Sequence, residues 1–491
     1  MLVRTARMAF SFWFRSPALR RGVAIAAVVL AAGGLILHKS SAAGSSWITR
    51  TTTSPSIASG TNAVSFSGSG ARGTVSLSHS HVLRGSQTHL FAEVRIVADP
   101  AEGNAKERAP ISLAVVLDTS GSMEGEKINE AKRSVLELLA QMRDDDEIAL
   151  VRYSDSSELL QPLARVGSVR SPLASRIREL FAGGGTNIPR GLSEGLTALR
   201  ASNGDRVRRV VLVSDGLDST RAQAEQLAEG AYRSGVVVSS LGIGLDFDEA
   251  YMGSVAQSGH GNFAFVKDGA SLASFLSREL VETASTTIEN AVVTLTLPEG
   301  VTFVSATGAD ASPQGRGKRT VELSFGSLFA GDDRRGIVEL ATDGDVDGHL
   351  DIIPHARWNR VSRKGAIDVD VPRLTLVASR DPNEVMRGRD GAVLASAASV
   401  MASKRQIEAA SAYAQGDVTR ATELVEANEA ALSEARAAAP AQAVPALESQ
   451  IDSYRKAKET FRAVAPSAAA GRAAAKASTA REMGNVKRKA Y

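Results

Sequence analysis

Between Ile111 and about Ser285 the chain alternates short, almost uninterrupted apolar runs with stretches of helical period. The runs are "ISLAVVLD", "EIALVRYS", "RVRRVVLVSD", "VVVSSLGIG" and "NFAFV", and between them lie segments such as "KINEAKRSVLELLAQM" and "TRAQAEQLAEGAYRSG". A strand with no polar face must be covered on both sides, and a helix between successive strands supplies that cover in a parallel sheet. The pattern predicts a doubly wound, mostly parallel α/β unit over residues 109–285.

On either side of this unit the period falls to two. "GTVSLSHSHVL" and "THLFAEVRIVAD", joined by "RGSQ", read as a hairpin. After Ser285 the runs "IENAVVTLTLPEGVTFVSATG", "RTVELSFGSL", "RGIVELAT", "HLDIIPHARW" and "AIDVDVPRLTLVA" predict an antiparallel β-sandwich over 286–380. Two strands alone are barely stable in water. The strands of 73–108 are therefore expected to join the later sandwich, with the α/β unit inserted in it or flanked by it. Residues 381–465 are Ala-rich and helical in pattern. "AASAYAQGDVTRATELVEANEAAL" is similar to a tetratricopeptide hairpin, but a single copy lacks the neighbours such repeats stack on, so a helical bundle is the expectation. The basic stretch 466–491 is expected to be disordered or marginally helical.

The N-terminus carries a different signal. Arg4, Arg7, Arg15, Arg20 and Arg21, with no acid among them, fill a basic segment 1–21 ahead of the apolar run Gly22 to Leu37. The positive-inside rule keeps the arginines cytoplasmic and sends the remainder across. Sixteen apolar residues rise about 24 Å as a helix, against a hydrocarbon core of about 30 Å. Two outcomes stay open. One is a single-pass anchor in the cytoplasmic membrane with the C-terminal part outside, periplasmic or at the cell surface. The other is a leader cut near "SSAAG" and a secreted product. Residues 38–72, rich in Ser, Thr, Gly and Ala, read as a flexible linker.

Composition narrows the chemistry. The 491 residues include no cysteine, which excludes disulfides, zinc–thiolate sites, iron–sulfur clusters and thiol nucleophiles. A formal net charge of +3, without clustered Lys/Arg in the middle of the chain, argues against nucleic acid as a partner.

The densest chemical signal is "LAVVLDTSGSMEGEK", where a strand ends in Asp118 and is followed at once by Ser120 and Ser122. In a doubly wound sheet ligands bind in the crevice at the carboxyl ends of the strands. Oxygen donors without nitrogen or sulfur select a hard cation, Mg2+ first, with Mn2+ or Ca2+ as alternatives. Mg2+ needs six oxygens, so further donors are required. "FAGGGTNIPRGL" offers Thr186 and "VVLVSDGLD" ends another strand in Asp215.

Taken in order, these residues resemble the metal-ion-dependent adhesion site of the von Willebrand factor type A domain, the fold of integrin I domains and of inter-α-trypsin inhibitor heavy chains. The pattern is Asp-x-Ser-x-Ser, then a Thr, then an Asp, matched here by Asp118, Ser120, Ser122, Thr186 and Asp215. The resemblance implies that Ser120, Ser122 and Thr186 ligate the ion directly while Asp118 and Asp215 balance its charge. It also implies that a Glu or Asp carboxylate of a partner protein takes the open position, and that the module is not an enzyme. An assembly or scaffold subunit of a multiprotein complex is the alternative. In integrin-like relatives the last helix shifts on ligand binding, and the resemblance implies that "ASLASFLSRELVETAS", which leads directly into the sandwich, is the matching segment.

Other signals weigh less. "GLSEG", Gly191 to Gly195, has the spacing of a hydrolase nucleophile elbow, but Ser193 falls inside a helical pattern where an elbow needs a strand before the serine. "DGDVDG" lacks an acidic twelfth ligand, Pro354 standing there, and reads as a turn. His79 and His81 share a strand face with no carboxylate nearby, His260 reads as a loop residue, and Asp144 to Glu147 as a solvated turn.

Overall fold

In the computed structural model, residues 62–487 are described, except for 101–108, 204–205, 216–217, 246, 267–268, 316–318 and 362–364. Four strands open this part of the chain: β1 (Ala63–Gly68), β2 (Ala71–Leu77), β3 (His81–Leu83) and β4 (Thr88–Ala98). The α/β unit follows with β5 (Ile111–Asp118), α1 (Glu126–Gln141), β6 (Glu147–Tyr153), β7 (Ser157–Arg165), α2 (Val166–Arg178) and α3 (Ile188–Ala198). It continues through β8 (Val207–Ser214), α4 (Arg221–Arg233), β9 (Val236–Ile243), α5 (Glu249–Ser258), β10 (His260–Val266) and α6 (Gly269–Ala284). Strands β11 (Thr286–Thr296), β12 (Val301–Thr307), β13 (Asp310–Gln314) and β14 (Thr320–Phe329) come next, then β15 (Asp333–Thr342), β16 (His349–Arg360), β17 (Ala366–Asp370) and β18 (Leu374–Ser379). The helices α7 (Pro382–Arg387), α8 (Gly391–Ala414), α9 (Val418–Ala438), α10 (Val444–Ala463) and α11 (Ala469–Lys487) close the described chain.

The α/β sheet has the order β10-β9-β8-β5-β6-β7. All pairings are parallel except β6 with β7. Every residue of β5 is buried, as its nearly continuous apolar run requires of a central strand. From β5 the chain moves first to β6 on one side and later to β8 on the other, so the connections part above Asp118 and leave a crevice there. Helix α3 sits very close to this sheet: a Cβ on Gly191 would lie 2.5 Å from the Tyr153 ring, and one on Gly195 would lie 2.4 Å from Val116 Cγ2. The two glycines of "GLSEG" are thus a packing requirement, and Ser193 between them faces solvent.

The sandwich is built from both flanks of this unit. One sheet runs β1-β2-β4-β15-β12 and the other β13-β14-β11-β16-β18-β3, with β17 paired to β16. Val75, Val94, Ile96, Val293, Leu323 and Trp358 meet in one core between them. Ten residue pairs join β4 to β15, from Asp333↔Val97 to Thr342↔Thr88, so the α/β unit interrupts a sandwich that closes around it.

Several expectations are corrected. Residues 63–68, assigned to the linker, form β1, where Phe66 is buried against the sandwich core. The expected two-strand hairpin is split: β2 pairs directly with β4, while β3 crosses to the other sheet and pairs in parallel with β18. The basic stretch after 466 is largely the ordered helix α11, packed against α8 and the α/β unit. Lys476, nearly fully buried, donates to Phe247 O at 2.6 Å and Glu249 Oε2 at 2.5 Å. Asp146 is not solvated: it accepts from the backbone N–H of Ile111 and of Arg143. His260 opens β10 with φ 54°, stacked on Tyr232.

The expected membrane-anchored localisation is also corrected. Among the described residues no helix is long and apolar enough to cross a membrane. The apolar run 22–37 itself lies outside the described residues.

Candidate functional site

Strand β5 delivers Asp118 to the carboxyl edge of the sheet, fully buried. Its Oδ1 accepts the backbone N–H of Ser120 at 2.8 Å, which turns the chain back over the strand end. Its Oδ2 accepts from Ser214 Oγ at 2.6 Å, and the Tyr153 hydroxyl stands 3.5 Å away. Burial pushes the Asp118 carboxyl above its ordinary range and the nearby Asp215 adds to this, against the hydrogen bonds from Ser120 and Ser214 that pull it down.

The two serines lead from this carboxylate to the next. Ser120 Oγ lies 3.0 Å from Ser122 Oγ, which donates to Asp215 Oδ1 at 2.8 Å. Asp215, at the end of β8, has no exposed surface. Its Oδ2 receives Lys127 Nζ at 2.5 Å, and the same ammonium donates to Ser122 O at 3.2 Å.

A third loop is laced to the first through its backbone. Gly183 N donates to Thr119 O at 2.8 Å, and Gly121 N donates to Gly184 O at 2.9 Å. The glycines are sterically required: a Cβ on Gly184 or Gly185 would come within 2.6 or 2.4 Å of the Asp155 carboxylate, which accepts from Gly185 N at 2.7 Å. Thr186 follows, half-buried, one residue before Asn187, whose side chain caps α3 by accepting from Arg190 N at 3.1 Å. Asp218 ties the loop after β8 to this one by accepting Ile188 N at 2.7 Å.

The five residues singled out in the sequence thus occupy three loops on one edge of the sheet. Asp118, Ser120, Ser122 and Asp215 are joined by hydrogen bonds or by the charge felt between the two aspartates. Thr186 stands on the third loop, tied to them through the backbone bonds of Gly183 and Gly184. Sequence reasoning missed Lys127, Tyr153, Ser214, Asp155 and Asp218. Two of these had a visible signal, since Ser214 and Asp218 flank Asp215 in "VSDGLD".

The donor set can be tested against a divalent cation. Neighbouring vertices of a Mg2+ octahedron are about 2.9 Å apart for bonds of about 2.0–2.1 Å. The Ser120–Ser122 and Ser122–Asp215 oxygen pairs, at 3.0 and 2.8 Å, have that spacing. Among the described residues no group of three or more His, Cys, Asp or Glu side chains converges. A metal here would therefore rest on hydroxyls together with two carboxylates, a hard set that suits Mg2+ and not zinc or copper.

Residues 112–278 match the family model of the von Willebrand factor type A domain, and this part of the chain is such a domain. An uncharacterized protein of Synechocystis, sll0103, is 26% identical over 36% of this chain and 42% of its own. YfbK of Escherichia coli is 30% identical over 34% of this chain and 30% of its own. Inter-alpha-trypsin inhibitor heavy chain H2 of Mus musculus is 25% identical over 37% of this chain and 19% of its own. The match thus spans less than half the length of each of these relatives. Among solved structures, a von Willebrand factor type A protein from Catenulispora acidiphila superposes with a TM-score of 0.63 at 16% identity, covering 82% of this chain and 91% of its own. The ArnB paralog VWA2 from Sulfolobus acidocaldarius follows with a TM-score of 0.54 at 18% identity, covering 84% and 98%. Such coverage extends the shared fold well beyond the α/β unit.

Proposed function

We propose that the α/β unit is a divalent-cation-dependent protein-binding module. In this reading Ser120, Ser122 and Thr186 ligate a Mg2+ ion, with Mn2+ or Ca2+ as alternatives, and Asp118 and Asp215 balance its charge. The carrying observation is the chain of oxygens from Ser120 through Ser122 to Asp215, at coordination spacing, beside a second buried carboxylate. When bound, the ion supplies an open coordination position for an acidic side chain of a partner protein. Asp118 holds the first loop by its bond to Ser120 N, and Tyr153 and Ser214 shield that carboxylate from solvent.

A binding role agrees with the domain's usual use in metal-dependent protein interaction. A serine-hydrolase role has no support, since Ser193 lies on the outer face of α3, away from any strand end. The test is capture of a partner by the immobilised full chain in Mg2+ with release by EDTA. Capture should vanish with Asp118→Ala and with neutralisation of one acidic residue on the partner; capture that persists in EDTA would refute the reading.

A further inference from the structure

Lys127 sits where a lysine is poorly placed. It is the second residue of α1, whose N-terminal dipole favours anions and opposes a cation. Yet its ammonium turns back from the helix to Asp215 Oδ2 at 2.5 Å and to Ser122 O at 3.2 Å. Both contacts belong to the loops that carry the oxygen cluster. The path of its stem is also kept clear: Gly244, with φ +77°, would place a Cβ 3.2 Å from Lys127 Cε. Asp215 has no exposed surface, whereas the Lys127 side chain is already 28% exposed.

From this geometry we infer that Lys127 is a tethered cation that competes with the divalent ion for Asp215. The inference rests on the proposed metal site and deepens it by naming the residue that sets its affinity. A lysine ammonium is a compact point charge with three rotatable donors, so it can neutralise Asp215 and then leave. A divalent ion drawing on Ser122 and Asp215 would stand within a few ångströms of Nζ, and the repulsion between the two cations drives the lysine out toward solvent. Asp215 is thereby charge-balanced under both conditions, by a monovalent or by a divalent partner. The ion binds with less net gain than an uncompensated carboxylate would give it.

Three measurements on the full chain test this. Reductive methylation read by mass spectrometry should label Lys127 slowly in EDTA and several-fold faster in Mg2+, while Asp215→Asn should remove this dependence on Mg2+. Calorimetric titration with Mg2+ should give the Lys127→Met chain at least tenfold tighter binding than the parent. The Mg2+-induced rise in melting temperature should be larger in Lys127→Met than in the parent. Unchanged labelling on adding Mg2+ overturns the inference, as does equal or weaker Mg2+ affinity in Lys127→Met with the parent still binding. A melting temperature that falls equally with and without Mg2+ makes the lysine a structural strut and also overturns it. If neither chain binds Mg2+, the proposed metal site fails as well.

Discussion

Two buried carboxylates in the same α/β unit are each paired with a cation, and they behave as different devices. Glu279, on α6, accepts from Arg209 Nη1 at 2.8 Å, Ser239 Oγ at 2.6 Å and Asn262 Nδ2 at 2.5 Å. Both its cation and its other partners stand on neighbouring strands or the α/β core, and the Arg209 side chain is only 8% exposed. Asp215, just past the end of β8, is met by Lys127 from the first turn of α1, through a flexible side chain that is 28% exposed. The first pair is locked by a planar guanidinium held on regular elements; the second can open. The lesson is that exposure and rigidity of the cation, more than burial of the acid, separate a structural ion pair from an exchangeable one.

The contrast can be sharpened by mutation, the largest effect coming from the locked pair. Glu279→Ala leaves Arg209 buried without its counter-ion, and urea unfolding should show a loss of about 3–5 kcal/mol. A third buried group, His79 in the sandwich, sets the next scale. Burial first, and then Arg389, lower its pKa to about 4 from an ordinary 6.5. Because the folded state favours the neutral ring, its contribution is fully present above pH 6.5 and is lost as pH falls toward 4. The loss should amount to about 3 kcal/mol and should disappear in His79→Gln, as followed by urea unfolding across that window. The smallest change is expected at the open pair. Asp215→Asn keeps a buried polar group in place and leaves the partly exposed Lys127 its bond to Ser122 O, so its cost should be about 1–2 kcal/mol, below that of Glu279→Ala. The same substitution should weaken Mg2+ binding at least tenfold in calorimetric titration. A stability loss as large as that of Glu279→Ala would erase the distinction.

The α/β order was legible because its central strands are buried on both faces and carry mostly apolar runs, as in β5 and β9, whereas the half-exposed edge strand β7 does not. The oxygen cluster was legible because strand ends and loop tips carry their chemistry in short local motifs. What escaped was set by distant contacts. Strand β1, "AVSFSG", holds one large apolar residue, Phe66, and is defined by its pairing with β2. Helix α11 hides its docking face among alanines and Lys476, whose burial depends on Phe247 and Glu249 more than 200 positions away. The place of Lys127 in the site depends on Asp215, 88 positions away, and no local motif marks it. His260 was read from its Gly neighbours as loop, whereas the Tyr232 ring and the Asp310 carboxylate, at 3.0 Å, hold it at the start of a strand.

The central claim is that loops around Asp118, Thr186 and Asp215 hold one divalent cation. Calorimetric titration of the full chain with Mg2+, beside an Asp118→Ala chain shown by circular dichroism to be folded, tests it most directly. One site per chain, lost in the variant, is the expected result; no binding by the parent, or equal binding by both, would contradict it.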